Sequence, residues 1–425
     1  MPRLASLTSQ ILTGTGIKKD LSLGYTLDNP NAFGTSDNDV FGNKIGISDT
    51  HAIVGTYLED DVGVTQSGKA YIYNLATGAL VHTLDNPNAY STSQSDYFGI
   101  SVDIDGNNAI VGAYLEDEAT GTASGKAYIF NVTTGALIHT LDNPNASGTA
   151  ASDYFGDGAA ISGNYCIVGA WGEDDGANQT GTAYIFNVTT GALVHTIDNP
   201  TQDASDTFGR YLDIDGNYAI VGVPGEDQPT TSSGKAYIFN VTTGALVYTL
   251  DNPNTFYTAQ DDFFGRAVAI SGDRAIVSAP GEDTAIGNNT GKVYIFDVTT
   301  GERLTIVITE GQNGAPDLVS RPILNNPGST TNSFGLEVDI SGNRAIVSGD
   351  RQTDADGGTL SGQAYIFNIT SGDLLQTLDN PNPFSTGTGD QFGAAVAISS
   401  NYAVVGAPGE DESDGTDSGK AYIFK

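Results

Sequence analysis

The 425-residue chain holds one cysteine, one tryptophan, one methionine, and only 17 basic residues against 51 acidic ones. A lone Cys166 forms no intramolecular disulfide, so no cross-linked framework supports the fold and cysteine usage assigns no redox compartment. The formal charge of −34 disfavours nucleic acid and anionic membranes as partners and favours cations. No apolar run approaches the ~20 residues of a spanning helix, which argues against membrane insertion. The opening MPRLASLTSQILTGTGIKKD contains no unbroken apolar stretch, so no secretory signal peptide is visible. Leu4, Leu7 and Ile11 permit a short helix there, ended by Thr13-Gly14-Thr15-Gly16.

What the chain does contain is a repeat. Phe-Gly recurs seven times, at Phe41, Phe98, Phe155, Phe208, Phe264, Phe334 and Phe392. A Tyr-Ile-Phe/Tyr triplet trails each one, at Tyr71, Tyr128, Tyr184, Tyr237, Tyr294, Tyr365 and Tyr422. A Leu/Ile-Asp/Asn-Asn-Pro turn keeps the same step, from Leu27 to Leu378. Such a period, held nearly end to end, means an array of like units rather than several unrelated domains.

The second unit shows how each is built. Phe98, Ile100, Val102 and Ile104 alternate with small or polar residues, a period-two strand A. Asp105-Gly106-Asn107 turns into Ala109–Ala113, an apolar run that reads as a doubly covered strand B. An acidic loop leads to strand C at Lys126–Phe130. Thr133-Thr134-Gly135 then turns into strand D, which Asp142-Asn143-Pro144 stops. Four antiparallel strands per unit, seven units and no intervening helix predict an all-β, seven-bladed β-propeller. Leu23–Leu27 is a D strand with no unit before it, and the chain ends on a C strand at Tyr422-Ile423-Phe424. The N-terminal strand is therefore expected to complete the last blade and close the ring. This divides the chain into an N-terminal arm, 1–20, and a propeller, 21–425. One unit is irregular, with extra residues at 303–323 between strands C and D of the fifth blade.

Phe-Gly opening strand A, then Val-Gly-Ala-Pro-Gly-Glu-Asp (intact at 405–411, with Val223 for Ala at 221–227), then Gly-Lys-Ala-Tyr-Ile-Phe (234–239 and 419–424), resembles the FG-GAP repeat family. The same propeller repeat occurs in integrin α-subunit heads. The resemblance implies a propeller used for adhesion or for carbohydrate or protein binding. Many members carry an Asp-x-Asp-x-Asp-Gly calcium loop between strands A and B. Here that hairpin shrinks to Asp-Ile-Asp-Gly-Asn at 103–107 and 213–217, so the chain looks like the short, calcium-free variant.

Antiparallel order puts the D–A and B–C loops on one face, and that face is acidic. B–C loops carry Glu116-Asp117, Glu173-Asp174 and their counterparts, while D–A loops carry Asp96, Asp153 and theirs. Two readings stand: Asp96, Glu116, Asp117, Asp153, Glu173 and Asp174 converge on calcium, the candidate cofactor, or they are solvated turn residues. Tyr57, Tyr114 and Trp171 head three B–C loops, where an exposed ring stacks on a sugar or merely shields a turn. His82, His139 and His195 share one D-strand position with Tyr25, Tyr248 and Gln376, which reads as packing. Asn-Val-Thr at 131, 187 and 240 matches a glycosylation sequon, and turn chemistry accounts for it.

The expectation is a non-enzymatic binding or adhesion propeller working outside the producing cell. A virion appendage or decoration protein fits that setting, with a surface glycan or protein as partner. The arm, holding Arg3, Lys18 and Lys19 with Leu4, Leu7, Ile11 and Leu12, is the candidate attachment to an oligomer or larger assembly. The alternatives are a carbohydrate-active enzyme or lyase, marked by one blade that breaks the symmetry with converging His, Arg or Tyr, and a purely structural scaffold.

Overall fold

Alternating and apolar segments become strands where the period requires. In the computed structural model the described residues are 20–30, 38–60, 65–87, 95–117, 123–144, 152–174, 179–201, 203, 206–227, 231–254, 260–283, 289–304, 323–327, 334–349, 361–381, 389–410 and 418–425. Strand B is sealed on both sides, with Ala109, Ile110 and Val111 fully buried, while strand D exposes much of its outer face. Seven four-stranded antiparallel sheets result.

Blade 1 comprises Lys44–Ile47, His51–Thr56, Lys69–Asn74 and Leu80–Asp85. Blade 2 comprises Ser101–Asp105, Asn108–Ala113, Lys126–Asn131 and Leu137–Asp142. Strand A of blades 3 to 6 is Phe155–Ser162, Tyr211–Asp215, Val268–Ser271 and Val338–Ser341. Blade 7 takes Ala395–Ile398, Ala403–Ala407 and Lys420–Phe424 from the C-terminus and Leu23–Asp28 from the N-terminus. The closing register pairs Leu23 with Phe424, Tyr25 with Ile423 and Leu27 with Ala421. The arm up to residue 19 and most of the long insertion, 305–322, lie outside the described residues; blade 5 regains its D strand at Ile323–Asn325.

The core lies between blades. One cluster packs Ile53, Ile72 and Leu84 of blade 1 against Phe98, Val102, Val111 and Tyr128 of blade 2, and six others repeat the theme. Phe98 is fully buried, its ring 5.8 Å from Tyr128 and 6.0 Å from Phe130. Gly99 follows because its φ is +96° and a Cβ there would stand 2.4 Å from the Lys69 carbonyl oxygen of the preceding blade. Phe-Gly is thus an inter-blade joint.

Two further sets of contacts join the blades. On the outer wall, His82 Nε2 donates to Thr133 O at 3.1 Å, His139 to Thr189 O at 3.0 Å and His195 to Thr242 O at 2.9 Å, each in the next blade. Tyr25 and Tyr248 hydroxyls reach Ala76 O and Thr299 O in the same way. Gln376 instead clasps the backbone of Leu21, donating to its carbonyl and accepting from its amide. The shared D-strand position is therefore a latch, which is why it accepts His, Tyr or Gln.

On the inner wall, Asp103 Oδ1 accepts from its neighbour Ile104 N, and Oδ2 from Ile161 N of blade 3, both at 2.8 Å. Asp213 does the same with Ile214 and Ile270, and Asp339 with Ile340 and Ile398. The second Asp of each Asp-Ile-Asp joins in: Asp105 accepts from Gly163 N and Asp215 from Gly272 N. The carboxylates of the shortened hairpin thus staple blades together.

Candidate functional site

The acidic face divides into a rim and a mouth. On the rim, Glu59, Glu116, Glu226, Glu282 and Glu410 are almost fully buried and Glu173 nearly so. Glu116 Oε2 accepts from the Tyr128 hydroxyl at 2.6 Å, and Glu173 Oε2 from Tyr184 at 2.6 Å. Glu59, Glu226, Glu282 and Glu410 accept from Tyr71, Tyr237, Tyr294 and Tyr422. Burial, then the adjacent carboxylate, pushes the Tyr128 and Tyr184 hydroxyls far above the ordinary tyrosine range. In blade 6, whose B–C loop lacks Glu-Asp, Tyr365 turns to Gln363 instead. The solvated-turn reading is corrected for these glutamates: they are buried partners of the strand-C tyrosine.

The aspartates are tied locally. Asp117 Oδ1 accepts from Ala123 N at 2.8 Å and Asp174 Oδ1 from Gln179 N at 2.7 Å, each capping its own loop. Asp96 and Asp153 are buried and accept from Asn86 and Asn143 side chains at 3.0 and 2.9 Å, joining the two ends of the D–A loop. Lys235 and Lys292 pair with Glu226 and Glu282 of their own loops, whereas Lys69, Lys126 and Lys420 reach Asp85, Asp142 and Asp28 on strand D. Among the described residues no three His, Cys, Asp or Glu side chains group closely enough to hold a metal ion. The sequon asparagines close Asx turns, Asn131 Oδ1 accepting from Thr134 N at 2.9 Å.

The mouth opens into a central channel of ≈ 720 Å³, lined by strand A of all seven blades. Tyr57, Tyr114 and Trp171 stand beside it, half-buried, and the structure brings them together through two rings sequence reasoning passed over. Tyr97 lies 5.6 Å from Tyr57 and 5.8 Å from Tyr114. Tyr154 lies 5.7 Å from Tyr114 and stacks on Trp171 at 4.6 Å. Tyr97 and Tyr154 hold left-handed φ values of +57° and +58°, the strained x position of Asp-x-Phe-Gly.

The arc then turns cationic. Arg210 lies 5.0 Å over Trp171 and 5.7 Å over Tyr211, and Arg266 lies 4.5 Å over Tyr211. Asp157 pairs with Arg210 Nε at 3.1 Å, and Lys44 approaches Glu337 across the channel at 3.8 Å. Burial pushes the Asp157 carboxyl up, against the pull of Arg210 and Lys44. The Trp171 indole N–H faces Asp157 without completing a well-formed hydrogen bond. Burial also raises Tyr114 to about 12, helped by Asp157, Tyr97 and Tyr57.

Compared with known repeats, the FG-GAP repeat signature matches residues 32–73, 89–130, 145–186, 201–239, 258–296, 323–367 and 386–424. The chain belongs to the FG-GAP repeat family. Six of the matches run from the D–A loop to strand C and leave the outer D strands between them; the match at 323–367 also takes in the blade 5 D strand, Ile323–Asn325. FG-GAP propellers are typically non-catalytic binding domains. No curated protein matches the chain.

The mouth residues that went unnoticed, Arg210, Tyr211, Arg266 and Asp157, occupy the two positions after Phe-Gly. Aligning the seven units by Phe-Gly exposes them, because that column changes identity from blade to blade while its neighbours hold.

Proposed function

We propose that this FG-GAP propeller is a non-enzymatic binding module that takes hold of a surface glycan or protein at the aromatic mouth. One observation carries the reading. Six rings and two guanidiniums form a continuous arc over blades 1 to 5, where the other contacts of that face repeat blade by blade. Rings at an open mouth supply contact area at low entropic cost, and a few polar groups orient the ligand. FG-GAP repeats point to extracellular proteins, which suits a setting outside the producing cell or on a virion surface. No helix among the described residues is long and apolar enough to cross a membrane.

The test is a glycan and cell-surface binding screen with the parent, Tyr114→Ala and Trp171→Ala, each with and without chelator. Binding that both substitutions abolish supports the mouth. Binding that both leave intact sinks it, and loss on chelation alone moves the site to a calcium-holding rim around Asp96, Glu116, Asp117, Asp153, Glu173 and Asp174.

A carbohydrate-active enzyme is the second reading, because Asp157, Glu337, Arg210 and Tyr211 converge at one opening. Release of reducing ends or unsaturated sugars from a bound glycan would favour it.

A further inference from the structure

Lys44, Arg210 and Arg266 are the cations of the channel lining, among Asp49, Asp157, Glu337 and the staple carboxylates Asp103, Asp105, Asp213, Asp215 and Asp339, which accept from backbone amides of the next blade. Arg266 stands apart from the other two cations. Asp157 occupies Arg210, and Glu337 lies near Lys44, whereas Arg266 forms no ion pair among the described residues. Its guanidinium lies 4.5 Å over the Tyr211 ring, and a guanidinium held at a ring keeps N–H donors to form hydrogen bonds.

The nature of the occupant follows from what is already filled. The chain's own Arg210 and Arg266 already lie over Trp171 and Tyr211, so a cation gains nothing at that end of the arc. An anion gains a planar fork suited to a carboxylate. The rim glutamates are buried against tyrosine hydroxyls, which leaves Asp60, Asp117, Asp174, Asp227 and Asp283 as its exposed charges. Tyr57, Tyr97, Tyr114 and Tyr154 continue the arc beside the fork. Rings in a row next to one guanidinium suit flat, polar-edged units more than the side chains of a peptide.

We infer that the mouth selects a carboxylate-bearing sugar, its carboxylate on Arg266 and the sugar rings along the tyrosine arc. The inference rests on the mouth being the binding site. It is tested by calorimetry with two matched pairs: tetragalacturonate against its methyl ester, and sialyllactose against lactose. The parent should bind the charged member of one pair about tenfold or more tighter than the neutral one. Arg266→Gln should erase that preference, Arg266→Lys should keep part of it, and Tyr114→Ala should weaken both members. Melting curves confirm that the variants fold. Equal binding of charged and neutral members, or a preference that survives Arg266→Gln, overturns the inference while leaving the mouth reading intact. Indifference to Tyr114→Ala overturns the mouth reading itself. Failure of all four sugars, with binding of hexaglutamate, would replace the sugar by an acidic peptide.

Discussion

Blades 1 to 3 and blades 4, 5 and 7 differ at one position. The head of the B–C loop is Tyr57, Tyr114 or Trp171 in the first group and Pro224, Pro280 or Pro408 in the second. Proline fits a turn because it presets φ, and it offers little to a ligand. The loops on both sides fold alike, the glutamate two residues further on being buried in each. The turn therefore does not need the rings. Where a repeat supplies its own structural solution and three blades decline it, the substituted residue answers to something outside the blade.

That contrast can be broken from the structural side first. Deleting residues 1–30 removes the strand Leu23–Asp28, with the burial of Leu27 and the pairing of Lys420–Phe424. A fully buried side chain of this kind contributes about 1.5–3 kcal/mol, and an unpaired edge adds aggregation. The expected result is insolubility or a large fall in melting temperature; an unchanged melting curve would refute closure by the N-terminal strand.

A smaller effect is expected at the rim. Tyr128→Phe leaves the buried Glu116 carboxylate without its hydroxyl donor, at a cost of about 1–3 kcal/mol. Chemical denaturation measures it, and a cost near zero would restore the view that the glutamate is solvated.

The channel staples give a pH test. Burial raises Asp103 to about 6 and Asp339 to about 7, against an ordinary 3.8, and lifts Asp213 well above it. With native values above unfolded ones, the native state binds more protons between pH ~4 and ~7, so these groups favour it increasingly as pH falls through that window. Compared with a triple Asp→Ala variant at 103, 213 and 339, the parent should gain melting temperature from about pH 8 to about pH 5. A constant difference would mean that the carboxyls do not titrate there.

The smallest stability effect belongs to the mouth. Arg266→Gln should change unfolding free energy by no more than about 0.5 kcal/mol, as befits a side chain outside the core. A large loss would make Arg266 part of the wall and collapse the contrast between the two groups of blades.

How far the sequence carried the reading depends on periodicity. Phe-Gly, Tyr-Ile-Phe and Asn-Pro recur in step, so strand order and ring closure were readable from spacing alone. The rim was half readable. Glu116 and Tyr128 stand twelve residues apart across a loop, and only antiparallel pairing of Asn108–Ala113 with Lys126–Asn131 brings them into contact. The mouth was least readable, because Arg210 and Arg266, which share one repeat position, belong to no motif and differ from the residue there in the other five blades. A residue that breaks a repeat carries no periodic signal, and its partners come from other blades.

The inner staples leave one matter of parity. Blades 2, 4 and 6 present Asp103, Asp213 and Asp339, and the same position in blades 1, 3, 5 and 7 is Gly46, Ala160, Ala269 and Ala397. Strict alternation divides a ring evenly only when the number of members is even. With seven, two small-residue blades must be neighbours, and they are the seventh and the first. Blade 1 therefore neither offers a staple to blade 2 nor receives one from blade 7, the blade in which the two chain ends meet. The structural unit at the axis is a pair of blades, three pairs complete the circle but for one, and the odd member is the place where the ring should breathe first.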